Sequence, residues 1–227
     1  MLIVIDNILS ADEVLQYREA LTRVDWQTGA DTAGSLSTMV KNNHQVNDNC
    51  EVAKQLSNDL LSRFGNNQQF ISAAIPKEIH APRFNRYGPG ETYGVHVDGS
   101  IMPMPHTSKI MRTDLSATLF LSDPAEYDGG ELAIETQYGN QEVKLPAGSM
   151  VLYPSSSLHQ VLPVTAGERL GAICWIQSMV RDEHLRSILF DLDESIQTLT
   201  SDAQADRETL LRLSGTYHNL LRRFADV

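Results

Sequence analysis

Cysteine is scarce in this chain of 227 residues: Cys50 and Cys174 are far apart and no CxxC occurs. A disulfide framework is thereby excluded. One long-range disulfide is the sole pairing available, and two buried thiols in a reducing compartment are the expected state. Basic clusters are also missing. No run of Lys or Arg exceeds a pair, and 18 basic against 29 acidic residues give a net charge of −11. That balance argues against a protein that tracks phosphates along a nucleic acid or lies on a membrane surface, leaving only a local basic groove open. A membrane-spanning run is absent too. Residues 145–167 carry no Asp, Glu, Lys or Arg, but three Pro, four Ser, His159 and Gln160 break the stretch. The opening "MLIVIDNILS" lacks a basic leader and meets Asp6 at once, so it reads as a first strand and not a signal peptide. A cytoplasmic location is expected.

With 41% apolar and 21% charged residues, the composition is that of a globular protein long enough for one large domain with helical additions. Ser10-Ala11-Asp12-Glu13 is a capping box, followed by Val14, Tyr17, Leu21 and Val24 at helical spacing. Residues 25–49, rich in Gly, Ser, Thr and Asn, read as a long loop or irregular strands. A second helix is expected from about Cys50 to Phe64, stopped by Gly65. From about 70 to 178 short β-type runs alternate with turn signals: FISAAI, PRFNRY, SATLFLS, GGELAIE, SMVLYP, HQVLPV and RLGAICWIQS. Such spacing points to a β-sandwich or barrel. After Ser178 two leucine-rich stripes, 185–199 and 210–224, predict helices docked on it and leave room for association between copies.

Within the β region, Val95-His96-Val97-Asp98 alternates faces, so an imidazole and a carboxylate share one side and both valines the other. An H-x-D pair alone is common. A third ligand would complete a site, and His159, heading another strand, is the best candidate. Two His and one carboxylate with open positions form the facial triad of non-haem iron oxygenases. Ten residues on, Arg169 heads an alternating strand that places Arg169, Gly171, Ile173, Trp175 and Gln177 on one face. A cation there is costly unless an anion awaits it, and its planar fork fits a carboxylate; a salt bridge at a strand end is the plainer alternative. Cys174 falls on the opposite face, where packing is its expected role.

These residues converge on a family. Tyr87-Gly88-x-Gly90-x-x-Tyr93-x-x-His96-x-Asp98 and His159-x-x-x-Pro163-Val164-x-x-Gly167-x-Arg169 resemble the two signature segments of the prolyl-4-hydroxylase-like Fe(II)/2-oxoglutarate-dependent dioxygenases. The likeness spans roughly 78–178. Over the whole length, with Tyr127-Asp128-Gly129-Gly130-Glu131-Leu132 and the helical tail, the chain looks like the bacterial PKHD-type hydroxylases. It departs from the collagen-type enzymes in carrying Arg169 where they have lysine.

The resemblance implies a double-stranded β-helix (a jelly roll) with supporting helices. It divides the chain into 1–77 (strand and supporting helices), 78–178 (dioxygenase core) and 179–227 (helical extension). It implies Fe(II) held by His96, Asp98 and His159, with Arg169 on the C5 carboxylate of 2-oxoglutarate and Tyr87 bonded to that cosubstrate. O2 and an unidentified peptidyl or small-molecule substrate are the other partners, and ascorbate a supporting reductant. The rival is a cupin-like metal-binding sensor or a zinc hydrolase, which needs the triad but no carboxylate fork. Oxidative demethylation of nucleic acid is disfavoured by the charge. The loop 99–109 reads equally as a substrate lid or a connection. His44, His80, His106, His184 and His218 read as structural or exposed, and Ser155-Ser156-Ser157 lacks the context of a nucleophile.

Overall fold

A computed structural model describes residues 1–32, 37–105 and 107–227. Two antiparallel sheets face each other. Along the larger sheet lie Ile3–Ile5, Met150–Pro154, Leu115–Phe120, Arg169–Ser178, Arg83–Tyr87, His44–Val46 and Trp26–Thr28, with Pro76–Ile79 pairing the far end of Arg169–Ser178. The smaller runs Gly139–Val143, Leu132–Thr136, His159–Val161, Thr92–His96 and Lys41–Asn42. Non-sequential neighbours throughout both sheets give the wound topology of a jelly roll.

The large sheet is covered on both faces, which is why its central strands are apolar almost throughout. Leu115, Ala117 and Leu119, Met150 and Leu152, and Leu170, Ala172, Cys174 and Ile176 all point outward into one core. There they meet Val14, Tyr17 and Leu21 of α1 (Ala11–Leu21), Leu60 and Phe64 of α2 (Glu51–Asn66) and Phe70 of α3 (Gln68–Ala74). The alternate residues point inward. Phe120, Val151 and Tyr153 join Leu132, Ile134, Val161 and Val164 of the opposite layer in a second core between the sheets. Both cysteines are free thiols, and Cys174 packs in the outer core as its strand parity requires.

Three local readings of the sequence are corrected. FISAAI is not a strand: Asn67 caps the N-terminus of α3 by accepting from the Phe70 amide, and Phe70, Ala73 and Ala74 bury at helical spacing. Gly65 does not stop α2, which runs on to Asn66. The stretch 25–49 is more ordered than expected, since Trp26–Thr28, Lys41–Asn42 and His44–Val46 extend both sheets; its residues 33–36 lie outside the described residues. The capping box at Ser10 and Glu13 is present.

At the C-terminus α4 (Glu183–Ser201) and α5 (Arg207–Phe224) form a hairpin. Leu189 and Phe190 of α4 are buried, and Leu189 shares a small core with Ile75 and Val180, flanked by Tyr217, Leu220 and Leu221. No residue of α5 is fully buried. Each buried leucine or phenylalanine contributes about 1.5–3 kcal/mol, so a chain cut after Ser178 loses that and leaves Ile75 facing water. We expect such a protein to aggregate, as size-exclusion chromatography would show; a monomer with cooperative unfolding would instead make the hairpin dispensable to the fold. No described helix is long and apolar enough to cross a membrane.

Candidate active site

His96 and His159 stand opposite each other on neighbouring strands of the small sheet, their rings 4.2 Å apart between centroids. Strand alternation turns Val95 and Val97 out to solvent, 56% and 49% exposed, and turns His96 and Asp98 into the space between the sheets. The two histidines are oriented in the same way. Nδ1 of His96 lies 2.8 Å from the Gly94 carbonyl, and Nδ1 of His159 lies 3.0 Å from the Ser157 carbonyl. A carbonyl only accepts, so Nδ1 carries the proton in both rings and each Nε2 presents a lone pair. Both lone pairs face Asp98: Nε2 of His96 is 4.0 Å from Oδ1, and Nε2 of His159 is 3.8 Å from Oδ2.

Those separations are too long for hydrogen bonds and suit donors around one cation, each about 2 Å from it. His96, Asp98 and His159 offer donor atoms all within 4.8 Å of one another. Burial and the neighbouring His159 push His96 down to about 4, so its ring is neutral at physiological pH, as a metal ligand must be. The rings are held further by aromatic neighbours: Tyr93 stacks on His96 at 3.6 Å, and Tyr153 meets His159 edge-on at 5.1 Å. Asp98 is held by Ser116, whose hydroxyl donates to Oδ2 at 2.5 Å. The donor set, two imidazoles and one carboxylate on a single side, fits Fe(II) with open positions.

Across the same pocket, Arg169 is 1% exposed and its Nε has no hydrogen-bond partner. Its guanidinium carbon lies 5.3 Å from the ring of Tyr87 and 5.2 Å from that of Phe120. Gly171, on the same strand face, lets the neighbouring strand approach closely. A Cβ there would come within 3.0 Å of the Leu119 carbonyl and 3.8 Å of an Arg169 terminal nitrogen. Tyr87 pairs with Arg169 across the sheet and is 2% exposed; burial pushes its hydroxyl up to about 12, so it stays a neutral donor. The pocket is a cavity of about 120 Å³. A buried cation set in the same cavity as the triad fits a dicarboxylate that reaches from metal to arginine.

All five residues singled out from the sequence, Tyr87, His96, Asp98, His159 and Arg169, therefore line one pocket. Of the loop 99–109, Gly99 and Met102 reach the pocket; His106 lies outside the described residues. His44 lies apart from the triad, its Nδ1 2.9 Å from Glu91. His80 is buried edge-on against Trp175, and burial lowers its pKa. Sequence reading missed Ser116, Tyr153, Lys41, Arg83 and Trp175, which also line the cavity. Only Trp175 carried a signal, its parity with Arg169.

Comparison with known proteins agrees with this geometry. Residues 82–177 match the 2OG-Fe(II) oxygenase superfamily, and residues 183–226 match the PKHD-type hydroxylase C-terminal domain. A PKHD-type hydroxylase of Teredinibacter turnerae is 56% identical over 225 residues, covering 99% of each chain. One of Acidovorax ebreus is 54% identical over the same share. Among solved structures, a Pseudomonas putida prolyl-4-hydroxylase superposes with a TM-score of 0.52 at 21% identity, over 78% of this chain and 92% of that one. A 2OG-Fe(II) oxygenase-family oxidoreductase of Burkholderia pseudomallei gives a TM-score of 0.56 at 14% identity, over 78% and 85%. These structures share the double-stranded β-helix fold. From full-length identity above half and both domain matches, the chain belongs to the PKHD-type hydroxylases, a family of 2-oxoglutarate- and Fe(II)-dependent oxygenases.

Proposed function

We propose that His96, Asp98 and His159 hold the Fe(II) of this hydroxylase, and that Arg169 and Tyr87 bind the 2-oxoglutarate. The observation that carries this reading is Arg169, a buried cation that lines the triad's cavity. A metal-binding sensor or a zinc hydrolase has no need of it. Bound there, Fe(II) with 2-oxoglutarate and O2 supplies the oxidising power for hydroxylation, with succinate and CO2 released. The chain's own residues do the rest. The Gly94 and Ser157 carbonyls hold Nδ1 of each imidazole and so turn each Nε2 toward the metal position. Arg169 neutralises the distal carboxylate, Tyr87 donates to it, and the inner core beside them keeps water out.

The charges are consistent with these roles. Fe(II) and one aspartate sum to +1, Arg169 adds +1, and the cosubstrate brings two carboxylates. Residues 78–178 carry this chemistry, 1–77 supports it and lends Lys41 and Gln45 to the pocket wall, and 179–227 supports the fold. We place the enzyme in the cytoplasm, with ascorbate keeping its iron ferrous and with neither nucleic acid nor membrane as a partner; self-association through the C-terminal helices accords with their apolar stripes. The substrate is peptidyl or a small molecule. A panel of peptides, amino acids and metabolites, monitored for succinate, tests the reading. Fe(II)- and O2-dependent succinate should rise with at least one compound, which gains one oxygen atom by mass. Iron binding without succinate from any of them, or from 2-oxoglutarate alone, would favour the sensor.

A further inference from the structure

Beside Asp98 two serine hydroxyls lie in a row. Ser116 Oγ is 2.5 Å from Asp98 Oδ2, and Ser155 Oγ is 2.7 Å from Ser116 Oγ. Ser116 is 2% exposed and Ser155 is 3% exposed, so neither bond has water as a competitor. The two serines are brought together by sheet register. Ser116 lies in Leu115–Phe120, Ser155 follows Met150–Pro154 on the neighbouring strand, and the Ser155 amide donates to the Asp114 carbonyl at 3.2 Å. Strand parity then points Ser116 inward, between the outward Leu115 and Ala117.

The direction of the two hydrogen bonds follows from chemistry. An ionised carboxylate only accepts, so Ser116 spends its single proton on Asp98. Ser116 must then accept from Ser155. The chain runs Ser155 to Ser116 to Asp98, and each bond polarises the next. Bonding of this kind occupies one lone pair of Oδ2, which also lies 3.8 Å from the His159 Nε2, and leaves Oδ1, 4.0 Å from the His96 Nε2, as the less encumbered oxygen.

We propose that the Ser155–Ser116 relay is a positioning device that makes Asp98 a one-oxygen metal ligand. The consequence is functional. A carboxylate that turned to give the metal both oxygens would take one of the positions that a two-point cosubstrate and O2 need. Ser116 and Ser155 thereby protect the open coordination sphere without touching it. Loss of an outer partner of this kind typically weakens metal binding by about 10- to 100-fold.

This inference rests on the triad reading, and the two fail differently. The test is anaerobic titration of the full chain, as wild type, Ser116→Ala and Ser155→Ala, with Fe(II) against a competing chelator and with Co(II) by visible absorption. Thermal unfolding of the metal-free proteins serves as the control. Ser116→Ala should bind Fe(II) about 10- to 100-fold more weakly and shift the Co(II) ligand-field bands. Ser155→Ala should move both in the same direction by less. Ser116→Thr, which keeps the hydroxyl, should restore the wild-type spectrum. If Ser116→Ala does not fold, Ser155→Ala decides, because it leaves the Ser116 donor in place and removes only its polarising partner. Wild-type affinity and an unchanged Co(II) spectrum in the alanine variants would overturn the relay. Failure of the wild type itself to bind one Fe(II) would overturn the triad instead.

Discussion

His159→Ala should abolish stoichiometric Fe(II) binding, and with it all iron-dependent succinate formation. One of the three proposed protein ligands is removed, so the loss should exceed the roughly 10- to 100-fold cost of disturbing an outer partner. The fold should survive. His159 belongs to neither apolar core, and its strand keeps its ladder to Leu132–Thr136. Comparable thermal unfolding in the metal-free proteins checks that point. His96→Ala and Asp98→Ala should behave alike, because the three donor atoms converge within 4.8 Å and no fourth candidate His, Cys, Asp or Glu joins them among the described residues. Stoichiometric, unweakened iron binding by His159→Ala would remove it from the site.

Arg169→Ala should leave Fe(II) affinity nearly unchanged and raise the apparent 2-oxoglutarate requirement by roughly 30- to 150-fold. That range corresponds to the loss of one charge-assisted bidentate contact, worth about 2–3 kcal/mol. Calorimetric titration of 2-oxoglutarate into the Mn(II)-loaded protein measures it without turnover. Arg169→Lys should be milder, since an ammonium still neutralises the carboxylate while giving up the second parallel hydrogen bond. The surroundings sharpen the expectation: Arg169 is buried yet lines the cavity that the triad faces, where a carboxylate can reach it. Wild-type affinity for 2-oxoglutarate in Arg169→Ala would make the arginine structural and favour the metal-sensor reading.

Why some of this could be read from the sequence and some could not comes down to the range over which each feature is encoded. Strand parity is local, so the shared face of His96 and Asp98, the inward Arg169 and the outward Cys174 were all legible from two-residue alternation. The capping box at Ser10 is local too. FISAAI misled because Phe70, Ala73 and Ala74 satisfy a helical spacing inside a run whose β-branched and aromatic residues also suit a strand. What sets its state is the Asn67 cap just upstream and the neighbouring core, a tertiary context that propensity does not see. The short strands of 25–49 are fixed by partners far along the chain, as His44–Val46 is by Arg83–Tyr87. Ser116 was invisible for the same reason. A serine one place from Leu115 has no motif, and its meaning arises only when the large sheet brings it under Asp98, 18 positions away. Ser155 was discounted as a nucleophile, and the structure gives it a partner of another kind.

The most direct test is anaerobic titration of the Fe(II)-loaded wild-type protein with 2-oxoglutarate, followed by visible absorption. One pocket that holds both the triad and Arg169 should yield a metal-to-ligand charge-transfer band that saturates at one cosubstrate per iron. The band should stay absent in His159→Ala and require far more 2-oxoglutarate in Arg169→Ala. Tight iron binding with no charge-transfer band at any 2-oxoglutarate concentration would contradict a shared site for metal and cosubstrate.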